Sequence, residues 1–424
     1  MKIYSDPDRA SWPQLTERVT ADDAVIEACV QAILERVRKD GDRALVELAA
    51  EIDKVSLPDG LEVTAQEMDE ADCLVSDDLK ASVEAAYENI SAFHKAQTFA
   101  PVQVQTAPGV TCVQKAVPIR KVGLYIPGGS APLFSTVLML AVPAKVAGCA
   151  ETVMCTPCGK DGKVAPAVLY AAKVCGVDRI FKIGGAQAVA AMAYGTETVP
   201  AVDKIFGPGN RYVTKAKEMV SRKVAIDMPA GPSEVLVMAD RSAVPAFVAS
   251  DLLSQAEHGP DSQVILVCES EDIALQVQVE VDKQLEKLPR RDVAARALES
   301  SRVIVMPSEE KQIDFVNAYA PEHLIISMND PWRIAEKITA AGSVFLGNYT
   351  PESAGDYASG TNHTLPTSGW ARSMSGVNLD SFVRKITYQE ITREGIASLG
   401  NTIVTMARAE GLDAHAEAAL IRMK

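Results

Sequence analysis

The 424 residues carry 56 Asp and Glu against 42 Lys and Arg, a formal net charge of -14. That balance repels a nucleic-acid backbone, and an aromatic share of 5% leaves little for stacking bases, although one dinucleotide could still be held by local amides and helix ends. No run approaches the roughly 18 apolar residues of a membrane span, and the start has no apolar leader core, so a cytoplasmic protein with eight reduced cysteines and more than one domain is expected.

The first hundred residues read as helical. Thr20-Ala-Asp-Asp23 resembles an N-cap with acid in the first turn, and Val25, Cys29, Ala32, Ile33 and Val37 form a helical stripe. Asp69 to His94 gives a second long helical pattern. Val102-Gln-Val-Gln alternates, Val110 to Val117 reads as a strand, and Val122 to Ile126 as another. An alternation of helices and strands then begins: helix 136–147, strand 152–155, helix 164–175, strand 179–183, a helix opened by Gly184-Gly-Ala-Gln187, and strand 204–206. A second round runs through strand 234–239, a helix to Glu257, strand 263–268, a helix from Asp272 and strand 303–305. Such alternation implies parallel sheets covered by helices. Past residue 378 the pattern is helical.

Three glycine-rich loops follow strands: Pro127-Gly-Gly-Ser130, Gly184-Gly-Ala-Gln187 and Gly207-Pro-Gly-Asn210. Each precedes a helix, so together they suit a nucleotide pocket, although any one of them could simply turn the chain. No GxGxxG fingerprint occurs. Cys155-Thr-Pro-Cys158 is a single CxxC with no second pair; it could be redox-active or bind metal, but a strand end followed by a turn fits it better.

Four of the five histidines lie in short polar segments. Gln255 and His258 stand three apart at a helix end that Gly259-Pro260 closes, a spacing that fits a metal site or an ordinary helix terminus. Glu322-His323 offers an acid-base pair, or a charged surface turn. Asp356 and His363 lie in a polar stretch, Glu352 to Pro366, read as a long loop of functional type or a solvated one. His415 lies near the end, and His94 falls on an N-terminal helix.

Long ordered runs, Gly123-Leu-Tyr-Ile-Pro-Gly-Gly129, Asp227-Met-Pro-Ala-Gly-Pro-Ser-Glu234, Ser254-Gln-Ala-Glu-His-Gly-Pro-Asp-Ser-Gln263, Ala320-Pro-Glu-His-Leu324 and Gly355 to Pro366, together with the loops above, resemble the histidinol dehydrogenase family across nearly the whole chain. The resemblance implies an α/β fold of two incomplete Rossmann-like parallel-sheet domains with a helical C-terminal tail, in an intertwined homodimer. It implies an N-terminal segment 1–20, a discontinuous α/β domain 21–124 plus 233–377 carrying metal and acid-base residues, an inserted NAD-binding domain 125–232, and a tail 378–424 exchanged with the partner subunit. The implied activity is oxidation of L-histidinol through L-histidinal to L-histidine with two NAD, the last step of histidine biosynthesis, assisted by zinc.

Carried over residue by residue, the resemblance makes Gln255, His258, Asp356 and His415 zinc ligands and Glu322 and His323 the catalytic pair. Tyr125, Gln187 and Asn210 become NAD contacts. Ser233 and Glu410 touch the substrate, with Gln255, His258, His323, Asp356 and His415 also near it. Three other readings compete. A zinc dehydrogenase for another small polyol, such as a sulfopropanediol, conflicts with Glu410 and His415. A cysteine-dependent aldehyde dehydrogenase would use Cys112 or Cys149, both in apolar runs. A nucleotide-binding regulatory scaffold leaves Glu322-His323 without a task.

Overall fold

A computed structural model of the chain describes residues 1–18, 23–128, 132–229 and 231–424. The N-cap expected at Thr20 lies outside these residues, as do Gly129 and Ser130 of the first glycine loop.

Two parallel sheets organise the molecule. One has six strands in the order Lys2–Ser5, Arg302–Val305, Gln263–Cys268, Glu234–Ala239, His323–Ser327 and Ser343–Leu346. The other has five, in the order Arg179–Phe181, Glu151–Cys155, Lys121–Tyr125, Lys204–Phe206 and Ala225–Ile226. Every pairing within them is parallel. Central strands such as Glu-Val-Leu-Val-Met-Ala and Gln-Val-Ile-Leu-Val-Cys are buried along their whole length, as strands covered on both faces must be. The α/β rhythm anticipated between residues 136 and 305 is present, and the structure adds parallel strands at His323–Ser327 and Ser343–Leu346.

Several elements differ from expectation. Lys2–Ser5 is an edge strand paired with Arg302–Val305; four residues are too few to show a period. The helical run 69–94 divides into Ala65–Leu74 and Asp77–Lys95, because Ser76 caps the second helix by accepting the Leu79 N–H. The tail opens with strand Val383–Ile391, which joins Val110–Pro118 and Val102–Ala107 in a small antiparallel sheet. Its β-branched residues find edge pairing that a helical reading overlooks. The polar stretch after Pro351 is not all loop: Glu352–Tyr357 is a short helix.

The grouping of residues 21–124 with 233–377 also differs from how the cores form. Helix Asp23–Leu48 shares one core with Val153, Phe181 and the helices Gly185–Tyr194 and Arg211–Val220. Helix Asp77–Lys95 shares another with Leu124, Met154 and helix Phe134–Ala147. The early helices therefore cover the two faces of the five-stranded sheet; an apolar stripe shows that a helix is covered, not by which sheet. The last two helices, Arg393–Ala409 and Asp413–Met423, pack on each other through Val404, Ala407, Ala416 and Ala419 and leave Met406 and Ile421 about 60% exposed.

Candidate active site

The five-stranded sheet places a cleft where its topology reverses. The chain leaves strand Lys121–Tyr125, steps outward to Arg179–Phe181, then returns to the other side at Lys204–Phe206. Loops at such a reversal diverge and leave a crevice at the strands' carboxyl ends. A cleft of about 740 Å³ lies there, lined by all three residues expected to touch a dinucleotide, Tyr125, Gln187 and Asn210. Tyr125 is buried, and its hydroxyl accepts the Gly185 N–H at 3.1 Å. Burial pushes its pKa up to about 12, which keeps it protonated. Gln187 donates to Asp53 at 3.1 Å. Asn210 caps helix Arg211–Val220, accepting the N–H groups of Tyr212 and Val213 at 3.0 and 3.1 Å. Gly207 has φ 125°, and any side chain there would strike the Tyr125 carbonyl. This loop is held from both sides: Asp227 accepts the Gly207 N–H at 2.8 Å, and Lys217, ion-paired to Asp227, donates to the Gly207 carbonyl at 2.9 Å.

A second cleft, about 490 Å³, shares Asn210 with the first and is lined also by Ser233 and His258. A crevice of about 40 Å³ continues from Gly207 to Ser233, Glu322 and His363. The glycine loop at Gly207 thus adjoins Glu322 and His363.

Glu322 and His323 are not a surface turn. Both are buried where strand His323–Ser327 begins, and the backbone of one residue, Glu234, holds the pair. The Glu234 N–H donates to Glu322 Oε2 at 2.7 Å, and the Glu234 carbonyl lies 3.1 Å from His323 Nδ1. A carbonyl can only accept, so Nδ1 carries hydrogen. The other ring nitrogen, Nε2, is buried without a hydrogen-bond partner and faces Asp356 at 3.6 Å. Glu234 is itself buried and fixed by Arg18 through two 3.0 Å contacts and by the Ser368 N–H at 2.8 Å.

His323, Glu352 and Asp356 bring their ligand atoms within 4.8 Å of one another. Burial works against a charged His323, yet the carboxylates of Glu352 and Glu322 hold its pKa well above the usual imidazole range. Burial raises Glu352 well above the usual carboxylate range, helped by Asp356 and Glu322. Burial also opposes charge on Asp356, but His323, His363 and His258 bring it below its ordinary value. The His363 ring is pushed down by burial, and its Nε2 lacks a partner. Gln255 is fully buried; its amide satisfies its neighbours when turned so that the nitrogen donates to Glu352 and the oxygen accepts the Glu234 N–H at 3.3 Å.

This donor set fits a divalent cation. Glu322, Glu352, Asp356 and Asp251 are largely buried together, and the positive groups set against them are His323 and, through Glu234, Arg18. Carboxylate and imidazole donors suit a borderline metal, and two unpartnered imidazole nitrogens are available. Of the four expected ligands, Gln255 and Asp356 belong to this cluster, and His258 is exposed just beyond helix Pro245–Ala256, close enough for its charge to act on Asp356. His415 lies on the last helix and Glu410 in the turn that precedes it; both are exposed, and neither belongs to the cluster of described residues. Sequence reasoning assigned no role to Glu352, Glu234, Arg18 or Asp251. Two signals were present: Glu352 and Asp356 stand four apart on one helical face, and Glu234 is an acid opening an otherwise apolar strand. Of the two competing thiols, Cys149 is unsuited to nucleophilic work: burial pushes it up to about 11.

The family description "Histidinol dehydrogenase" matches residues 16–423. A histidinol dehydrogenase of Bacteroides thetaiotaomicron is 56% identical over 424 residues, covering 100% of this chain and 99% of that protein. One from Vibrio parahaemolyticus is 53% identical over 407 residues, covering 95% and 93%. The crystal structure of histidinol dehydrogenase from Elizabethkingia anophelis superposes with TM-score 0.97 at 50% identity, covering 100% of this chain and 98% of that one. The chain belongs to the histidinol dehydrogenase family.

Proposed function

We propose that this protein oxidises L-histidinol through L-histidinal to L-histidine with two NAD. The observation that carries the reading is the backbone of Glu234, whose N–H holds Glu322 and whose carbonyl holds His323, beside the crevice from the glycine loop. In this reading the larger cleft takes NAD along Tyr125, Gln187 and Asn210, and the dinucleotide supplies the hydride acceptor for both oxidations. Ser233, Gln255, His258, Asp356 and His323 surround the substrate. Zinc is held by Gln255, His258 and Asp356, with His415 from a partner subunit; once bound it supplies a template for the substrate's imidazole and amino nitrogens. The fourth ligand and Glu410 sit on the exposed helical pair Arg393–Met423, and exchange of that tail in a homodimer would bring them to the neighbouring site.

With Nδ1–H donating to the Glu234 carbonyl, proton traffic on His323 passes through Nε2. With zinc bound, Asp356 would turn its charge to the metal and would no longer hold the His323 proton, leaving the ring free to act as a base for the alcohol. Glu322, fixed by the Glu234 N–H, then activates water toward the aldehyde carbon. His323, having released the first proton to solvent, accepts a second at Nε2 as the hydrate is oxidised.

The test is the purified protein with histidinol and NAD, quantifying NADH and histidine together. Two NADH per histidine, lost on chelation and restored by zinc, is expected. Turnover confined to another small alcohol, or full turnover in verified metal-free protein, would overturn the reading.

A further inference from the structure

The cofactor cleft runs from Asn210, which borders the acid-base site, to Gln187 at the edge strand of the five-stranded sheet. Three strand spacings separate those loops, about 14 Å. The reacting ring must lie at the Asn210 end, so the far end receives the other nucleoside. There Asp53 lines the cleft and accepts a hydrogen bond from Gln187 Nε2 at 3.1 Å. Among the described residues Asp53 is the one charged group lining this cleft, and no Lys or Arg lines it; residues 129–131, outside the described residues, are Gly, Ser and Ala. It comes from the end of the segment Ala49–Asp53, not from a strand of the sheet, so no glycine-finger spacing announces it.

We propose that Asp53, backed by Gln187, selects a dinucleotide with a free adenosine 2′-hydroxyl and rejects its 2′-phosphorylated counterpart. The inference rests on the dinucleotide reading of this cleft. A carboxylate accepts a ribose hydroxyl as a charge-assisted hydrogen bond. It repels a phosphate at the same place, and nothing cationic in the cleft offsets that repulsion.

Calorimetric binding of NAD and of NADP to the wild-type protein, Asp53→Asn and Asp53→Glu tests it without requiring turnover. Wild type should prefer NAD, and Asp53→Asn should shrink the ratio by roughly tenfold or more, the scale of one charged hydrogen bond. Asp53→Glu should retain the preference. An unchanged ratio in Asp53→Asn that still binds NAD overturns the role of Asp53 alone. A wild-type protein that binds neither dinucleotide overturns the cleft reading and the proposal with it. Should Asp53→Asn fail to fold, displacement of NAD from wild type decides. Adenosine should compete better than adenosine 2′-monophosphate, and equal competition overturns the proposal.

Discussion

Replacing Lys217 by Met should loosen the loop that faces both clefts. The Lys217 and Asp227 side chains are 3% and 1% exposed. Removing one partner of a buried pair costs about 3–5 kcal/mol, mostly through the charge left behind. Asp227 would still accept the N–H groups of Gly207 and Met228 at 2.8 and 2.7 Å and feel the nearby Lys204, so the lower end, about 3 kcal/mol, applies. Asp227→Asn should cost a similar amount, since Lys217 keeps the Gly207 carbonyl. The double variant leaves no unpaired charge and should fall about 2 kcal/mol short of the sum. Urea midpoints at constant slope measure all four corners of the cycle. Because Gly207 is gripped through both its N–H and its C=O, the folded single variants should also show a raised KM for NAD with kcat less affected. A coupling below about 0.5 kcal/mol, or an unchanged KM for NAD in destabilised variants, would refute the clamp.

Glu322→Gln should impair oxidation of histidinal far more than oxidation of histidinol to the aldehyde level; equal loss in single-turnover measurements of both halves would sink the division of labour with His323. Asp251, on the helix that carries Gln255, is pushed up to about 7 by burial, against the help of the Glu352 N–H. The folded state of metal-free protein therefore keeps a proton that the unfolded chain releases near its ordinary value of 3.8. That contribution is full below the unfolded value and fades as pH rises toward 7. Asp251→Asn should flatten the decline, and an identical stability–pH curve in the variant would contradict the assignment. Mixing His415→Ala with Glu322→Ala protein should restore part of the activity in hybrid dimers, and inactive hybrids shown to form would argue against a shared site.

Much of the frame was readable from local pattern. Strands such as Gln263–Cys268 are short apolar runs bounded by turn residues, and the loops at Gly184 and Gly207 end strands where backbone must come close. The motif-bearing positions Tyr125, Gln187 and Asn210 do meet in one cleft. What escaped was whatever depends on contacts distant in sequence. Arg18 reaches Glu234 across 216 positions, and nothing near either residue hints at the other. Asp53 resembles any acid at a helix end until Gln187, 134 positions away, is seen against it. The strand Val383–Ile391 looks helical alone and becomes a strand because Val110–Pro118 offers an unpaired edge.

The placement of the acid-base pair follows a rule that strand patterns do not supply. In open parallel sheets ligands gather at the carboxyl ends of strands, and the five-stranded sheet obeys. The six-stranded sheet does not: Glu234, Gln263 and His323 each stand at the first position of a strand. Its amino edge therefore adjoins the carboxyl edge of the other sheet, with Asn210 common to both clefts. The two edges bring different chemistry. Carboxyl-end loops offer backbone N–H groups and helix starts that suit phosphate. The amino edge offers carbonyl oxygens and buried carboxylates, suited to cations and to a proton carried on an imidazole. In the proposed reading, opposing the two keeps the amides that would bind an anionic dinucleotide apart from the carboxylates that would bind a cation. A chain of net charge -14 can bind a dinucleotide on these terms because the acidic groups of the reaction centre are gathered on the other sheet.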